Sequence, residues 1–188
     1  MKNYKKLTGI LAVILLGSVL FAFTPAGKVY ITHTGHIWFF AGTSMEDINA
    51  DNYQVASNLN SATGDMAFSV LSKGFEFKRA LMQEHFNENY MESDKYPKST
   101  FKGKIKDIGS VNFDKNGTYK VAVTGELNIH GVSNTVNTTG TITVSADSVH
   151  EKSEFNVLLK DYKIEIPSVV ENKISKTVQI HVDVAYKK

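Results

Sequence analysis

The sequence predicts an all-β protein, a single antiparallel eight-stranded barrel with one α-helix, preceded by a signal peptide. Three observations predict it. Apolar and polar residues alternate with a period of two over most of the chain, which marks half-buried strands. Turn signals containing glycine separate these runs. A single stretch departs from the alternation and takes helical spacing instead. Eight or so antiparallel strands must hide their edges, and closure into a barrel removes the edges altogether.

Residues 1–26 read as a secretory signal peptide. Lys2, Lys5 and Lys6 give a basic start, and Leu7 to Phe23 is apolar apart from Thr8, Gly9, Gly17 and Ser18. Leu20-Phe21-Ala22 or Thr24-Pro25-Ala26 then offers small residues for cleavage. The competing reading is a membrane anchor, since a span needs roughly 17 apolar residues or more. The small residues favour cleavage, so no stable membrane anchor is expected to remain. The barrel domain spans residues 27–188, with no internal repeat and no linker.

Val29 to Ala41 and Met66 to Phe77 read as strands, with Tyr53 to Leu59 a shorter candidate between them. Arg79 to Met91 holds good helix formers, and Met82, Phe86 and Tyr90 recur at i, i+4 and i+8 as one apolar stripe. Pro97 ends that tendency. Phe101, Gly103 and Ile105 alternate with Lys102, Lys104 and Lys106. Tyr119, Val121, Val123, Gly125, Leu127 and Ile129 form the clearest strand, followed by Val132, Val136, Ile142 and Val144 in one register. Phe155, Val157 and Leu159 form the next run, and Ile174 to Tyr186 the last.

His130-Gly131 has the two-residue spacing of a tight hairpin. Pairing Ile129 with Val132 places Leu127 opposite Asn134, Val123 opposite Thr138 and Tyr119 opposite Ile142, so the two apolar sets share a face. Asn116-Gly117 is a second turn signal, but a two-residue loop there would put Phe113 on the wrong face. A longer loop or a bulge is expected.

Composition excludes several functions. Without the leader, 18 basic side chains stand against 19 acidic ones, a net charge of −1. Nucleic acid is therefore no expected partner. The chain has no cysteine, so it forms no disulfide and lacks the residue that a lipoprotein acylates. Release as a soluble periplasmic or secreted protein is expected, and association as a homodimer stays open.

No catalytic constellation is present. The sequence has no cysteine nucleophile, Gly-x-Ser-x-Gly elbow, phosphate-cradling loop or His-Glu-x-x-His, so it is read as a non-enzyme without cofactor. His33 and His36 would need a turn to share a metal, because residues three apart on a strand face opposite ways. No metal site is assigned. Glu84 and Glu88 face away from the helix stripe that His85 borders, and Asp161 and Glu165 read as outer surface.

Two motifs carry a family resemblance. Tyr96-Pro97-Lys98-Ser99-Thr100-Phe101-Lys102-Gly103 resembles the Tyr-Pro…Phe stretch of the YceI-like proteins. Gly125-Glu126-Leu127-Asn128-Ile129-His130-Gly131-Val132-Ser133 resembles their Gly-x-Leu-x-Ile-x-Gly-Val-[Ser/Thr] hairpin. Arg79 to Phe86 departs from the Arg-Asp-x-His-Leu common before the Tyr-Pro element, and Thr34 to Phe39 lacks the usual His-Ser pair, so the chain resembles a divergent, shorter branch. The resemblance implies a lipocalin-like barrel whose lumen binds a polyisoprenoid or similar lipid, for carriage, storage or stress response.

On that reading the lumen and helix lining comprises Trp38, Phe40, Phe68, Phe75, Phe77, Met82, Phe86, Tyr90, Phe101, Tyr119, Val121, Val123, Leu127, Ile142, Phe155, Val157, Val178, Ile180 and Val182. A hydrocarbon needs only dry apolar walls. Burying about fifteen methylenes is worth on the order of 12 kcal/mol before ordering costs. The alternative is a filled-core barrel acting as a structural or envelope-stress interaction module. Bulky side chains meeting on the axis would favour it.

Overall fold

The hairpin at His130-Gly131 sets the register of the barrel. His130 has φ 52° and Gly131 φ 74°, the two positive values that a type I′ turn requires. From it run β6 (Gly117–Ile129) and β7 (Val132–Val144), paired from Ile129↔Val132 through Leu127↔Asn134 and Val123↔Thr138 to Tyr119↔Ile142. Pattern and pairing agree because a shift of one residue would turn every valine outward.

The computed structural model describes residues 27–188, so the expected signal peptide lies outside the described residues. Besides β6 and β7 the strands are β1 (Val29–Gly42), β2 (Asn49–Asn60), β3 (Asp65–Leu71), β4 (Glu76–Phe77), β5 (Lys98–Ile105), β8 (Ser148–Leu158) and β9 (Ile174–Lys187). Neighbours run β1-β9-β8-β7-β6-β5-β3-β2, and β2 pairs back onto β1, which closes an eight-stranded antiparallel barrel. The two-residue β4 continues beside β2 through Ala50↔Phe77 and Asp51↔Glu76. Helix α1 (Ala80–His85) runs into a π turn at Phe86–Tyr90, where the Met91 amide donates to Phe86 O at 2.8 Å.

The expected strand from Met66 to Phe77 is broken at Ser72–Gly74 by a 3₁₀ turn. Ser72 is buried, its hydroxyl donating to Tyr96 O at 2.9 Å and its amide to Pro97 O at 2.9 Å. The turn changes the parity, so Phe68 and the odd-numbered Phe75 and Phe77 reach the same interior. β2 is longer than the sequence suggested. The β5–β6 connection covers 106–116, the longer loop expected at Asn116-Gly117.

The two ends of the barrel differ. Tyr30, Leu59, Ile105, Val144, Val149, Val184 and Tyr186 fill one end, and Val111, Ile108 and Phe113 of the 106–116 loop pack against them. The Tyr30 and Phe113 rings stack there at 5.7 Å. At the other end Leu127, Val157, Val178, Tyr162 and Ile164 cluster with Phe86 and Tyr90 of the π turn and the Met91 that follows it. The outward set, Lys102, Lys104, Glu126 and Lys120 among others, is exposed. Among the described residues, no helix is long and apolar enough to cross a membrane.

Candidate functional site

The barrel interior between the two ends holds a cavity of about 520 Å³. Its walls come mainly from alternate residues of the barrel strands other than β2, as the pleat dictates. Val121, Val123 and Leu127 of β6 face Val178, Ile180 and Val182 of β9, with Phe155 and Val157 of β8 and Ile142 of β7 beside them. Phe68, Phe75 and Phe77 add rings from β3 and β4. Phe101 lies over Gly103 and its partner Gly125, where an added Cβ would come within 2.4 and 2.5 Å of Phe101 Cζ. Side chains at those two positions would displace the ring.

Met82, Phe86 and Tyr90 line the cavity from the helix end, with Leu81, His85 and Met91. Phe86 sits among Phe39, Phe75 and Phe77 with ring centroids 5.7, 5.5 and 5.0 Å away. The helix stripe therefore roofs one end of the lumen. Glu46, Arg79 and Lys173 mark the rim, where Arg79 hydrogen-bonds Glu46 and Lys173 Nζ lies 3.6 Å from its other oxygen. The Arg79 hydrogen bond holds the Glu46 carboxyl below its ordinary range.

Three expected lining residues lie elsewhere. Trp38 stacks between the rings of His36 and His181, at 4.6 and 4.7 Å, on the outer wall. Phe40 is 40% exposed on that same face. The register of β1 against β2 shifts between Thr32 and Gly35 and again before Ile37. This bulge sends Tyr30 inward at one end but Ile37, Phe39 and Ala41 inward at the other. Tyr119 packs against the filled end rather than the cavity, its hydroxyl donating to Lys115 O at 3.3 Å.

The histidines and acids weighed in the sequence fall outside the lumen or at its edge. His36 Nε2 lies 2.8 Å from Asp51 Oδ1, and His33 is exposed. Among the described residues no group of three or more His, Cys, Asp or Glu could hold a metal. Glu84, Glu88, Asp161 and Glu165 are exposed.

Sequence reasoning missed two residues. Phe39 stands in the aromatic cluster at the roof. Glu151 of β8 is 5% exposed and lines the inner end of the cavity, between Ile142 of β7 and Val184 of β9. Tyr186 Oη donates to Glu151 Oε2 at 2.8 Å, and Ser57 Oγ donates to Tyr186 Oη at 2.7 Å. Oε1 is buried with no hydrogen-bond partner among the described residues. Burial pushes the Glu151 carboxyl up to about 7, against the opposing pull of the Tyr186 hydrogen bond. Burial likewise raises the Tyr186 hydroxyl, which stays a donor. The signal for Glu151 was its phase, because it shares the parity of Val149, Phe155 and Val157.

The two motifs that carried the resemblance touch. Tyr96 packs edge-on against His130 with ring centroids 4.6 Å apart, and an added Cβ on Gly131 would lie 2.5 Å from the Tyr96 ring. His130 Nε2 lies 2.9 Å from Glu92 Oε2, and Nδ1 3.2 Å from Tyr162 O. The hairpin tip thus ties the end of the helical segment to the rim of the barrel.

Known structures share this architecture. A polyisoprenoid-binding domain from Saccharophagus degradans implicated in plant cell wall breakdown superposes with a TM-score of 0.73 at 13% identity, covering 86% of this chain and 98% of that one. BcnA of Burkholderia cenocepacia gives 0.68 at 14% identity over 80% and 95%. A YceI protein of Campylobacter jejuni gives 0.55 at 14% identity over 100% and 99%. At such identities the likeness establishes the fold alone. No curated protein matches the chain. The family model of the YceI-like domain matches residues 19–186, nearly the whole length, and the chain belongs to the YceI-like family.

Proposed function

We propose that this protein binds one long-chain lipid of the polyisoprenoid type in the barrel lumen, and carries or stores it without transforming it. The observation that carries the reading is the cavity, about 520 Å³ walled by aliphatic and aromatic side chains, filled at one end and roofed by Phe86 at the other. That volume is in the range of small-molecule sites, and an eight-stranded barrel has room for one such ligand. The Saccharophagus degradans domain, of like fold, is a polyisoprenoid-binding domain. A filled-core interaction module is less well supported, because side chains do not meet on the axis along this stretch. An enzyme would need several polar groups converging on one point of the lumen, and the walls are chiefly apolar. The basic and apolar leader supports export to the periplasm or the exterior.

The test is organic extraction of the exported protein followed by mass spectrometry of the extract. The expected result is a prenyl lipid at close to one per chain. An extract without lipid from protein purified free of detergent would move the assignment to the interaction module.

A further inference from the structure

Glu151 is an anomaly within this lumen. The walls around it are chiefly apolar, yet they hold a carboxyl whose Oε1 is buried with no hydrogen-bond partner among the described residues. Oε2 is fixed by Tyr186, and Tyr186 by Ser57, so the carboxyl cannot swing to share its partner. Ile142 and Val184 flank it on the neighbouring strands and supply no polar atom from their side chains. A buried polar group left unmatched is costly, and a matching group from outside the chain removes that cost.

We propose that Glu151 is a receptor, at the inner end of the lumen, for an uncharged oxygen-bearing terminus of the lipid, an alcohol or a carbonyl, so that such a lipid lies polar end inward. This rests on the lumen being the lipid site. Oε1 suits an uncharged terminus in either protonation state, since it donates to a carbonyl or hydroxyl oxygen when protonated and accepts from a hydroxyl when not. When ionised it repels an anionic terminus. The cations that could hold an anion are Arg79 and Lys173 at the opposite rim. Lys152 points away, its Nζ 2.9 Å from Asp183 Oδ2. The two ends of the cavity therefore sort headgroups by charge, with phosphates kept at the rim and neutral oxygens taken to the inner end.

The experiment compares three probes, geranylgeraniol, the hydrocarbon lacking its hydroxyl, and geranylgeranyl phosphate. Each displaces a fluorescent lipid from delipidated full-length wild type, Glu151→Gln and Glu151→Leu. Wild type should bind the alcohol about tenfold more tightly than the hydrocarbon, the worth of one buried hydrogen bond. Glu151→Leu should abolish that preference, and Glu151→Gln should keep most of it. Equal alcohol-to-hydrocarbon ratios in wild type and Glu151→Leu would overturn the proposal while leaving the lumen as the lipid site. Failure of wild type to bind any of the three would overturn both. Infrared difference spectra of wild type at acidic pH provide a reading that needs no folded variant. The buried carboxyl C=O band should shift on adding the alcohol and not on adding the hydrocarbon, and an unmoved band would contradict the contact.

Discussion

Glu151 holds its proton more tightly in the folded chain than in the unfolded one, because the surrounding valines and isoleucine solvate a charge poorly. Its carboxyl rises from 4.5 to about 7, so the folded state binds more protons between those values. Stability from this group is complete below about 4.5 and is lost as the pH climbs through 7. The loss is on the order of 3 kcal/mol. Thermal melts of wild type and Glu151→Gln should therefore diverge between pH 5 and pH 8, with wild type losing more on the alkaline side. Parallel profiles would mean that Glu151 is not the buried acid described. The walls allow a sharper contrast. Val123→Asp places a charge in an apolar interior and should cost several kcal/mol, whereas Thr124→Asp, one residue on and facing out, should change the melting temperature little. Residues of β6 were legible because its apolar residues and glycines alternate with neighbours that are polar except for Ala122. Glu151 was not, because a lone acid within an apolar parity looks like the start of the strand.

At the scale of the element, turns were easier to read than bulges. His130-Gly131 announces a two-residue turn through its composition, and the apolar sets on both sides agree on one register. Gly131→Ala forces an alanine to φ 74° and a methyl into the Tyr96 ring, so chemical denaturation should show a loss of about 1–3 kcal/mol. A neutral result would mean that the turn can relax without its type I′ form. In β1 the three consecutive aromatics Trp38, Phe39 and Phe40 fit either parity, and only the bulge after Thr32 decides for Phe39. Trp38 and Phe40 were misplaced for that reason. The 3₁₀ turn at Ser72–Gly74 was equally silent in sequence, because its anchor, the Tyr96-Pro97 backbone, lies more than twenty residues away. The helix was legible from its stripe. Phe86→Ala removes a ring that touches three phenylalanines but leaves the strands alone. It should lower bound lipid per chain more than it lowers the melting temperature, with a stability loss below the 3–5 kcal/mol of a fully buried Phe. Unchanged lipid content would place the ligand away from the roof.

For the whole molecule, barrel closure followed from strand number and the need to cover edges, and the motif resemblance fixed its type. Which end fills and which stays hollow did not follow. The difference depends on the 106–116 loop, where Val111 and Phe113 plug one end, and on the helix, whose rings only roof the other. Both contacts join residues distant in sequence. The result is an interior with a long apolar wall, one buried acid at its inner end and a charged rim outside. Native mass spectrometry of the protein, purified without detergent, tests the central claim most directly. The lumen account predicts a single non-covalent adduct of one lipid per chain, released on activation with a mass matching a prenyl chain, whereas bare protein under the gentlest conditions would contradict it.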